Sequence, residues 1–337
     1  MTVRVGINGF GRIGRLFLRA SLGCADIEVV AVNDLTAPAM NAHLLKYDST
    51  HGRLPHSVSF TDDALIIDGR SIRVLAEREP SKLPWSELDV EVVIESTGRF
   101  STRDAAAAHL TAGGRRVIIS APANDVDATF VVGVNDHEFD PAAHFIVSNA
   151  SCTTNCFVPM VKVLDDAFGI QTGLMTTVHA YTNDQNLLDL AHSDMRRARA
   201  AATNIVPTST GAARATGLVL SAMKGKLDGT SLRVPVTDGS ITDFTAIVRR
   251  TTVAEVNEAF LKASQGALGK VLVYSNEPLV LSDIVGSAAS CTFDSELTMA
   301  LPIDDDRSLV KVFGWYDNEW GYSNRLVDLT RLVGAAH

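Results

Sequence analysis

The stretch Val3-Arg4-Val5-Gly6-Ile7-Asn8-Gly9-Phe10-Gly11-Arg12-Ile13-Gly14-Arg15 decides the fold. Val3 to Asn8 is apolar enough for a buried strand. Arg12 to Leu22 has the spacing of an amphipathic helix stopped by Gly23, and Ile27 to Asn33 is a second buried strand. The segment is therefore a βαβ unit. Glycines at 9, 11 and 14 alone would also suit a plain turn. Here they follow a strand and open a helix, whose N-terminal amides and dipole receive a pyrophosphate where no side chain blocks the backbone. Asp34 ends the second strand, where a carboxylate accepts from ribose hydroxyls. We read Gly9, Gly11, Gly14 and Asp34 as a dinucleotide site.

Further along the chain the same alternation returns. Val90 to Ser96 predicts a strand, Arg103 to Ala112 an Ala-rich helix ended by Gly113-Gly114, and Arg116 to Ser120 another strand. Between these units, Ser57 to Phe60, Leu65 to Ile67 and Ile72 to Leu75, with Asp68-Gly69 as a turn signal, predict an antiparallel insertion without chemistry. Past about residue 150 the long β-rich runs Leu174 to His179, Ser231 to Val236 and Ile241 to Arg249 have few crossover helices between them. The fold class expected is α/β: a Rossmann doubly wound parallel sheet plus an α+β catalytic domain with a mixed or antiparallel sheet. Residues 1–151 would form the first domain, with a C-terminal helix in 317–337 packing back on it, and residues 152–316 the second. The chain's 337 residues have room for both.

A formal charge of −9 argues against a nucleic-acid partner, whose binding needs clustered cations. No apolar run approaches the ~18 residues of a membrane span. The N-terminus runs straight into a strand without a leader pattern, so a cytoplasmic location and no membrane partner are expected. Cys24, Cys152, Cys156 and Cys291 are too few for a disulfide scaffold and lack CxxC spacing, so reduced thiols and no metal are expected.

Ser148-Asn149-Ala150-Ser151-Cys152-Thr153-Thr154-Asn155-Cys156 lies between the strand Phe145 to Val147 and the helical run Phe157 to Phe168. Cys152 thus stands near a helix N-terminus, where the dipole and unpaired amides favour a thiolate. Cys156, one turn deeper, is read as a small packed residue. A thiolate that adds to an aldehyde needs a base for the hydroxyl proton, and histidine suits neutral pH. Of nine histidines, His179 ends an apolar strand and opens the loop Ala180-Tyr181-Thr182-Asn183-Asp184. The residues alone leave it equally an ordinary hydrogen-bonded histidine. Arg196-Arg197-Ala198-Arg199 reads, by itself, as a solvated basic helix face.

The set Asn8-Gly9-Phe10-Gly11-Arg12-Ile13-Gly14-Arg15, Ser151-Cys152-Thr153-Thr154-Asn155-Cys156, His179-Ala180-Tyr181-Thr182 and Trp315-Tyr316-Asp317-Asn318-Glu319-Trp320-Gly321-Tyr322-Ser323 resembles the phosphorylating glyceraldehyde-3-phosphate dehydrogenases over nearly the whole chain. The resemblance implies reversible, NAD-dependent oxidation and phosphorylation of D-glyceraldehyde 3-phosphate to 1,3-bisphosphoglycerate. In it Cys152 is the nucleophile and His179 the base that also helps hold the thiolate. It places Thr182 and Arg233 with the substrate phosphate, and Ser151, Thr153, Arg197, Thr210 and Gly211 around the attacking inorganic phosphate. For the cofactor it adds Arg12 and Ile13 at the pyrophosphate, Arg78, Thr97 and Ser120, and Asn318 at the nicotinamide carboxamide. It also implies a homotetramer. Two departures stand out. Ala191 replaces the proline usual after Leu190 in NAD-using members, which weakens strict exclusion of NADP. The residues after Arg233-Val234-Pro235 differ from the common pattern, which is expected to touch sheet geometry rather than chemistry. Two other readings stay open: an erythrose-4-phosphate dehydrogenase, and a catalytically silent Rossmann interaction protein.

Overall fold

The structure is a computed structural model that describes residues 2–335. The chain divides into two compact units. Met1–Phe130, Asp136–Ala150 and Ser323–His337 form the first; Val131–Asn135 and Ser151–Tyr322 form the second.

The first unit opens with β1 (Val3–Asn8), α1 (Arg12–Ser21) and β2 (Ile27–Asn33), the expected βαβ start. Next come α2 (Pro38–Lys46) and a small ribbon of β3 (Tyr47–Asp48) and β4 (Gly52–Arg53). β5 (Val58–Phe60), β6 (Ala64–Ile67), β7 (Arg70–Leu75) and β8 (Val92–Glu95) follow. Then α3 (Arg103–Ala106), α4 (Ala108–Thr111), β9 (Arg116–Ile119), β10 (Ala128–Thr129) and β11 (Ile146–Ser148) complete this stretch. The sheet runs β10-β11-β9-β8-β1-β2-β7-β6-β5. It is parallel from β10 to β7 and antiparallel over the last two pairings. All four residues of β8 are buried, as a strand covered on both faces requires.

Two expectations change here. The Ser57–Leu75 region is no mere insertion, because β7 pairs in parallel with β2 through Ala31 and Arg73 and so extends the main sheet. Its turn does follow the sequence: Asp68 and Gly69 both take positive φ, 48° and 80°, the geometry of a tight two-residue hairpin. The helix expected over Arg103–Ala112 is two short pieces, since at Leu110 N to Ala107 O the ladder shortens to an i→i+3 bond.

The second unit begins with α5 (Cys152–Phe168) and the long β12 (Ile170–Ala180). β13 (Val206–Ser209), α6 (Ala212–Val219), β14 (Leu227–Val234), β15 (Ser240–Arg249), α7 (Val253–Gln265) and β16 (Leu272–Ser275) follow. The last elements are α8 (Leu281–Ile284), β17 (Cys291–Asp294), β18 (Met299–Pro302), β19 (Arg307–Tyr316) and α9 (Trp320–Gly334), which enters the first unit at Ser323. The sheet runs β13-β14-β12-β15-β19-β17-β16, with β18 beside β19. It is mixed: β12 lies parallel to β14 and β16 to β17, while the other neighbours are antiparallel. β15 and β19 alternate buried and half-buried residues, and the inner face packs on α5, where Phe157 meets Phe244 edge to face at 4.8 Å. Of the expected 317–337 helix, residues 336 and 337 lie outside the described residues.

Candidate active site and cofactor cradle

Ser151 caps α5. Its Oγ accepts the Thr154 amide at 3.0 Å from extended backbone, the geometry of a helix N-cap. This places Cys152 at the first helical position, half-buried, while Cys156 lies fully buried one turn on, its thiol turned to the Gly314 carbonyl at 3.5 Å. Just before the cap, Ala150 holds φ at 54°, a left-handed conformation that costs an alanine about 1–2 kcal/mol.

β12 delivers His179. Its parallel register with β14 sets His179 opposite Arg233, and His179 Nε2 lies 3.5 Å from Cys152 Sγ. The other ring nitrogen, Nδ1, donates to the Ala180 carbonyl at 2.7 Å, so Nε2 keeps the lone pair that faces the sulfur. The Arg233 guanidinium lies 3.2 Å from Nδ1 and donates to the Ala180 carbonyl at 3.0 Å and to Thr182 Oγ1 at 3.3 Å. Burial, then the Arg233 cation, hold the imidazolium down to about 3, against the pull of the Ala180 carbonyl. Burial also pushes the Cys152 thiol up from its ordinary value, with Arg233 and the amide and hydroxyl of Thr153 opposing it. The helix position was expected to favour a standing thiolate. In the structure burial works against that preference at the sulfur.

Thr182 and Arg233 are thus brought together. Arg197 is half-buried, donating through Nε to Thr208 Oγ1 at 2.8 Å and through Nη1 to Asp184 at 2.7 Å. It and Asp184 lie close enough to Arg233 to bias its charge. The segment 196–199 is irregular rather than a helix face, with Arg199 paired to Asp189 at 2.9 Å. Thr210 and Gly211 lead into α6, where Thr210 Oγ1 accepts the Ala212 amide at 3.2 Å and a side chain at Gly211 would meet open space. Thr153 has its hydroxyl against Tyr316 at 2.9 Å.

In the first unit, Gly9, Asp34, Thr97 and Ser120 each stand at or just past the carboxyl end of a parallel strand, the edge where doubly wound sheets bind ligands. Gly9 has φ of 92°, and a Cβ there would press on the Thr97 amide at 2.7 Å; a Cβ on Gly14 would lie 2.2 Å from the Gly9 carbonyl. Only glycine allows this close passage. At Gly11, before the uncapped start of α1, a Cβ would enter open space, which leaves backbone approach to a pyrophosphate unobstructed. Asp34 accepts the Phe10 amide at 2.8 Å and the Thr36 amide at 2.9 Å, which fixes its carboxylate beside the glycine turn. The residues fit a dinucleotide. Arg12 has its guanidinium bidentate on Asp48 at 2.6 and 3.2 Å, and with Ile13 it lies in the first turn of α1. Arg78 is exposed and follows Glu77, whose amide and carbonyl both bond Asn33 at the end of β2. Asn318, in the second unit, accepts from Ser240 Oγ at 2.8 Å through Oδ1.

Comparison with known proteins agrees with this geometry. A family model for the glyceraldehyde 3-phosphate dehydrogenase NAD binding domain matches residues 3–103, and one for the C-terminal domain of the same family matches residues 151–318. The chain belongs to the glyceraldehyde 3-phosphate dehydrogenase family. It is 59% identical over 336 residues to glyceraldehyde-3-phosphate dehydrogenase 2 of Streptomyces avermitilis, and 60% identical over 337 residues to glyceraldehyde-3-phosphate dehydrogenase of Streptomyces coelicolor. The Geobacillus stearothermophilus counterpart is 55% identical over 336 residues, and each alignment spans 99% of both chains.

Within this glyceraldehyde 3-phosphate dehydrogenase site, sequence reading missed two supporting residues. Tyr316 is buried and its hydroxyl bridges Thr153 at 2.9 Å and Thr177 at 2.8 Å, with its ring edge-on to His179 at 6.0 Å. It lies in the quoted Trp315–Ser323 motif, yet only register shows that β19 brings it under α5. Ser240 also accepts the Ala180 amide at 3.2 Å, so one hydroxyl ties the strand end after His179 to Asn318. The departure after Arg233-Val234-Pro235 therefore runs into a residue that orients the site.

Proposed function

We propose that this chain oxidises and phosphorylates D-glyceraldehyde 3-phosphate to 1,3-bisphosphoglycerate with Cys152 as nucleophile and His179 as base. The observation that carries the reading is the 3.5 Å approach of Cys152 Sγ to an imidazole whose Nδ1 is already tied to a carbonyl. As sulfur attacks the aldehyde carbon, the thiol proton passes to Nε2, and its return to the new oxyanion gives a hemithioacetal. Bound NAD supplies the hydride acceptor for oxidation of that carbon. His179 takes the hydroxyl proton as the carbonyl of the thioester forms. Inorganic phosphate then attacks the thioester and releases the acyl phosphate, while the departing sulfur regains its proton.

Thr182 and Arg233 hold the substrate phosphate, a dianion suited to a guanidinium and a hydroxyl. Ser151, Thr153, Arg197, Thr210 and Gly211 receive the attacking phosphate. Gly9, Gly11, Arg12, Ile13, Gly14, Asp34, Arg78, Thr97, Ser120 and Asn318 hold NAD. The working assembly in this reading is a homotetramer in the cytoplasm. Supporting it are the exposed apolar side chains Leu187, Leu188, Leu190, Met195 and Ile205 in one loop of the second unit, and no described helix is long and apolar enough to cross a membrane.

The test is steady-state turnover of glyceraldehyde 3-phosphate with NAD, with and without inorganic phosphate, beside erythrose 4-phosphate as the competing aldehyde. Wild type should turn over only when phosphate is present. Cys152→Ser should be inactive yet bind NAD, because a serine hydroxyl is too weakly acidic to replace the thiol. Near-normal turnover in Cys152→Ser, or a preference for erythrose 4-phosphate, would refute the proposal.

A further inference from the structure

A buried polar cluster lies in the first unit, beneath the cofactor cradle. Glu95, the last residue of β8, is 2% exposed, and its carboxylate accepts four hydrogen bonds. Oε1 takes the amide and hydroxyl of Thr97 at 2.8 and 2.5 Å; Oε2 takes Asn8 Nδ2 at 2.6 Å and His109 Nε2 at 2.9 Å. His109 is fully buried and accepts Trp85 Nε1–H at Nδ1, 3.1 Å away, so its single ring proton sits on Nε2 and points at Glu95. Trp85 is itself fully buried, packed over β1 where Gly6 leaves room for its ring. From Asn8 the chain of bonds continues through Oδ1 to Asn33 Nδ2 at 2.7 Å, and Asn33 also holds Glu77.

The placement of this cluster gives it meaning. Asn8, Asn33 and Glu95 are the final residues of β1, β2 and β8, and the neighbours β1 and β8 flank the point where the strand order reverses. Each is followed by cradle residues: Gly9 after Asn8, Asp34 after Asn33, and Thr97 two positions past Glu95. Burying a carboxylate is costly unless every lone pair is met, which a core built only for stability would avoid with apolar side chains.

We propose that Glu95, aimed by His109 and Trp85, is a positioning residue of the NAD site. It locks three strand ends together so that the glycine turn, Asp34 and Thr97 face the dinucleotide in one fixed arrangement. The inference rests on the cofactor reading above.

It is tested with the full chain by calorimetric titration of NAD, by melting temperature, and by the rate at which iodoacetamide alkylates Cys152 without cofactor. Glu95→Gln keeps shape but sets an NH2 group against donors, and should weaken NAD about 10- to 100-fold, the range for a buried partner left unsatisfied. Its Cys152 alkylation rate should match wild type. His109→Gln, which retains an acceptor for Trp85 and a donor for Glu95, should bind NAD within about threefold of wild type. His109→Leu should lose affinity as Glu95→Gln does. Val117→Ala in the same sheet serves as a purely destabilising control, since Val117 is fully buried. Wild-type NAD affinity in Glu95→Gln would overturn the inference. So would a loss in Val117→Ala equal to that in Glu95→Gln at matched melting temperature, or a His109→Gln no better than His109→Leu. A wild-type chain that bound no NAD would bring down the cofactor assignment and this inference with it, whereas tight wild-type binding with an indifferent Glu95→Gln would sink this inference alone.

Discussion

In the proposed cofactor site, one side chain, Asp34, would decide between NAD and NADP. Its carboxylate is held beside the glycine turn by the amides of Phe10 and Thr36, so it cannot swing aside at no cost when a ligand brings negative charge. A 2′-phosphate at that position would meet a like charge, a repulsion of a few kcal/mol from ~332/(ε·r) with an effective dielectric near ~20. NAD should therefore be preferred over NADP by at least about tenfold in kcat/KM, or roughly 1.4 kcal/mol, despite Ala191. Asp34→Ala should narrow that ratio sharply. Steady-state kinetics with both cofactors decide the matter, and equal use by wild type would contradict it. In the proposed mechanism, His179→Asn should lower turnover by roughly two to four orders of magnitude and slow alkylation of Cys152 by iodoacetamide. Unchanged alkylation would mean that the start of α5, not the imidazole, governs the sulfur.

Among the elements, α5, β12 and β19 are tied together through Tyr316. Tyr316→Phe removes the hydroxyl between Thr153 and Thr177 and leaves the buried Thr153 without this partner, a cost of about 1–3 kcal/mol. The variant should melt lower and lose part of its kcat while its NAD affinity stays unchanged. A wild-type melting temperature and kcat together would show that the bridge contributes nothing. How far such elements could be read from sequence depended on whether their signal was local. The glycine turn after Val3–Asn8 and the hairpin turn at Asp68-Gly69 are each dictated by residues a few positions apart and stand where the sequence put them, whereas the helix expected from Phe157 opens five residues earlier, at Cys152. Pairing of β7 with β2 joins residues some forty positions apart and leaves no periodic mark, so the strand passed for part of an insertion. The Ala-rich run after Thr102 carried helix propensity throughout, but nothing in it announced the tightened turn at Ala107. Among the site residues, Cys152 and His179 stood at legible element ends. By contrast, Glu95, His109 and Tyr316 act through burial and register, which composition does not display.

For the molecule as a whole, two buried titrating groups bound its stability from opposite sides. His179 is held neutral down to about 3, below its ordinary value near ~6.5, so the stability tied to it is present above ~6.5 and is lost as pH falls toward 3. Asp238 is pushed up to about 9 by burial and by the neighbouring Asp317 and Glu319. Its contribution is complete below the ordinary carboxyl range near ~3.9 and disappears as pH rises through 9. His179→Asn should flatten the acid side of a melting-temperature profile, retaining about 2 kcal/mol near pH ~5 that wild type loses. Asp238→Asn should flatten the fall with rising pH, its advantage over wild type growing from pH ~4 and levelling off above pH ~9. Profiles that remain parallel to wild type in both variants would remove these groups from the account. The path of the chain has a further effect, on synthesis. Helix α9 belongs, from Ser323 onward, to the unit that begins with β1: Leu326, Leu329 and Val333 are buried, Gly334 abuts Val3, and Arg331 pairs with Asp26 at 2.8 Å. A ribosome therefore releases the nucleotide-binding half first and completes it last. For nearly all of translation its opening strand awaits a partner that has not yet been made, and a nascent chain stalled just short of α9 would expose the apolar seam of its own earliest residues to the quality-control machinery of the cell.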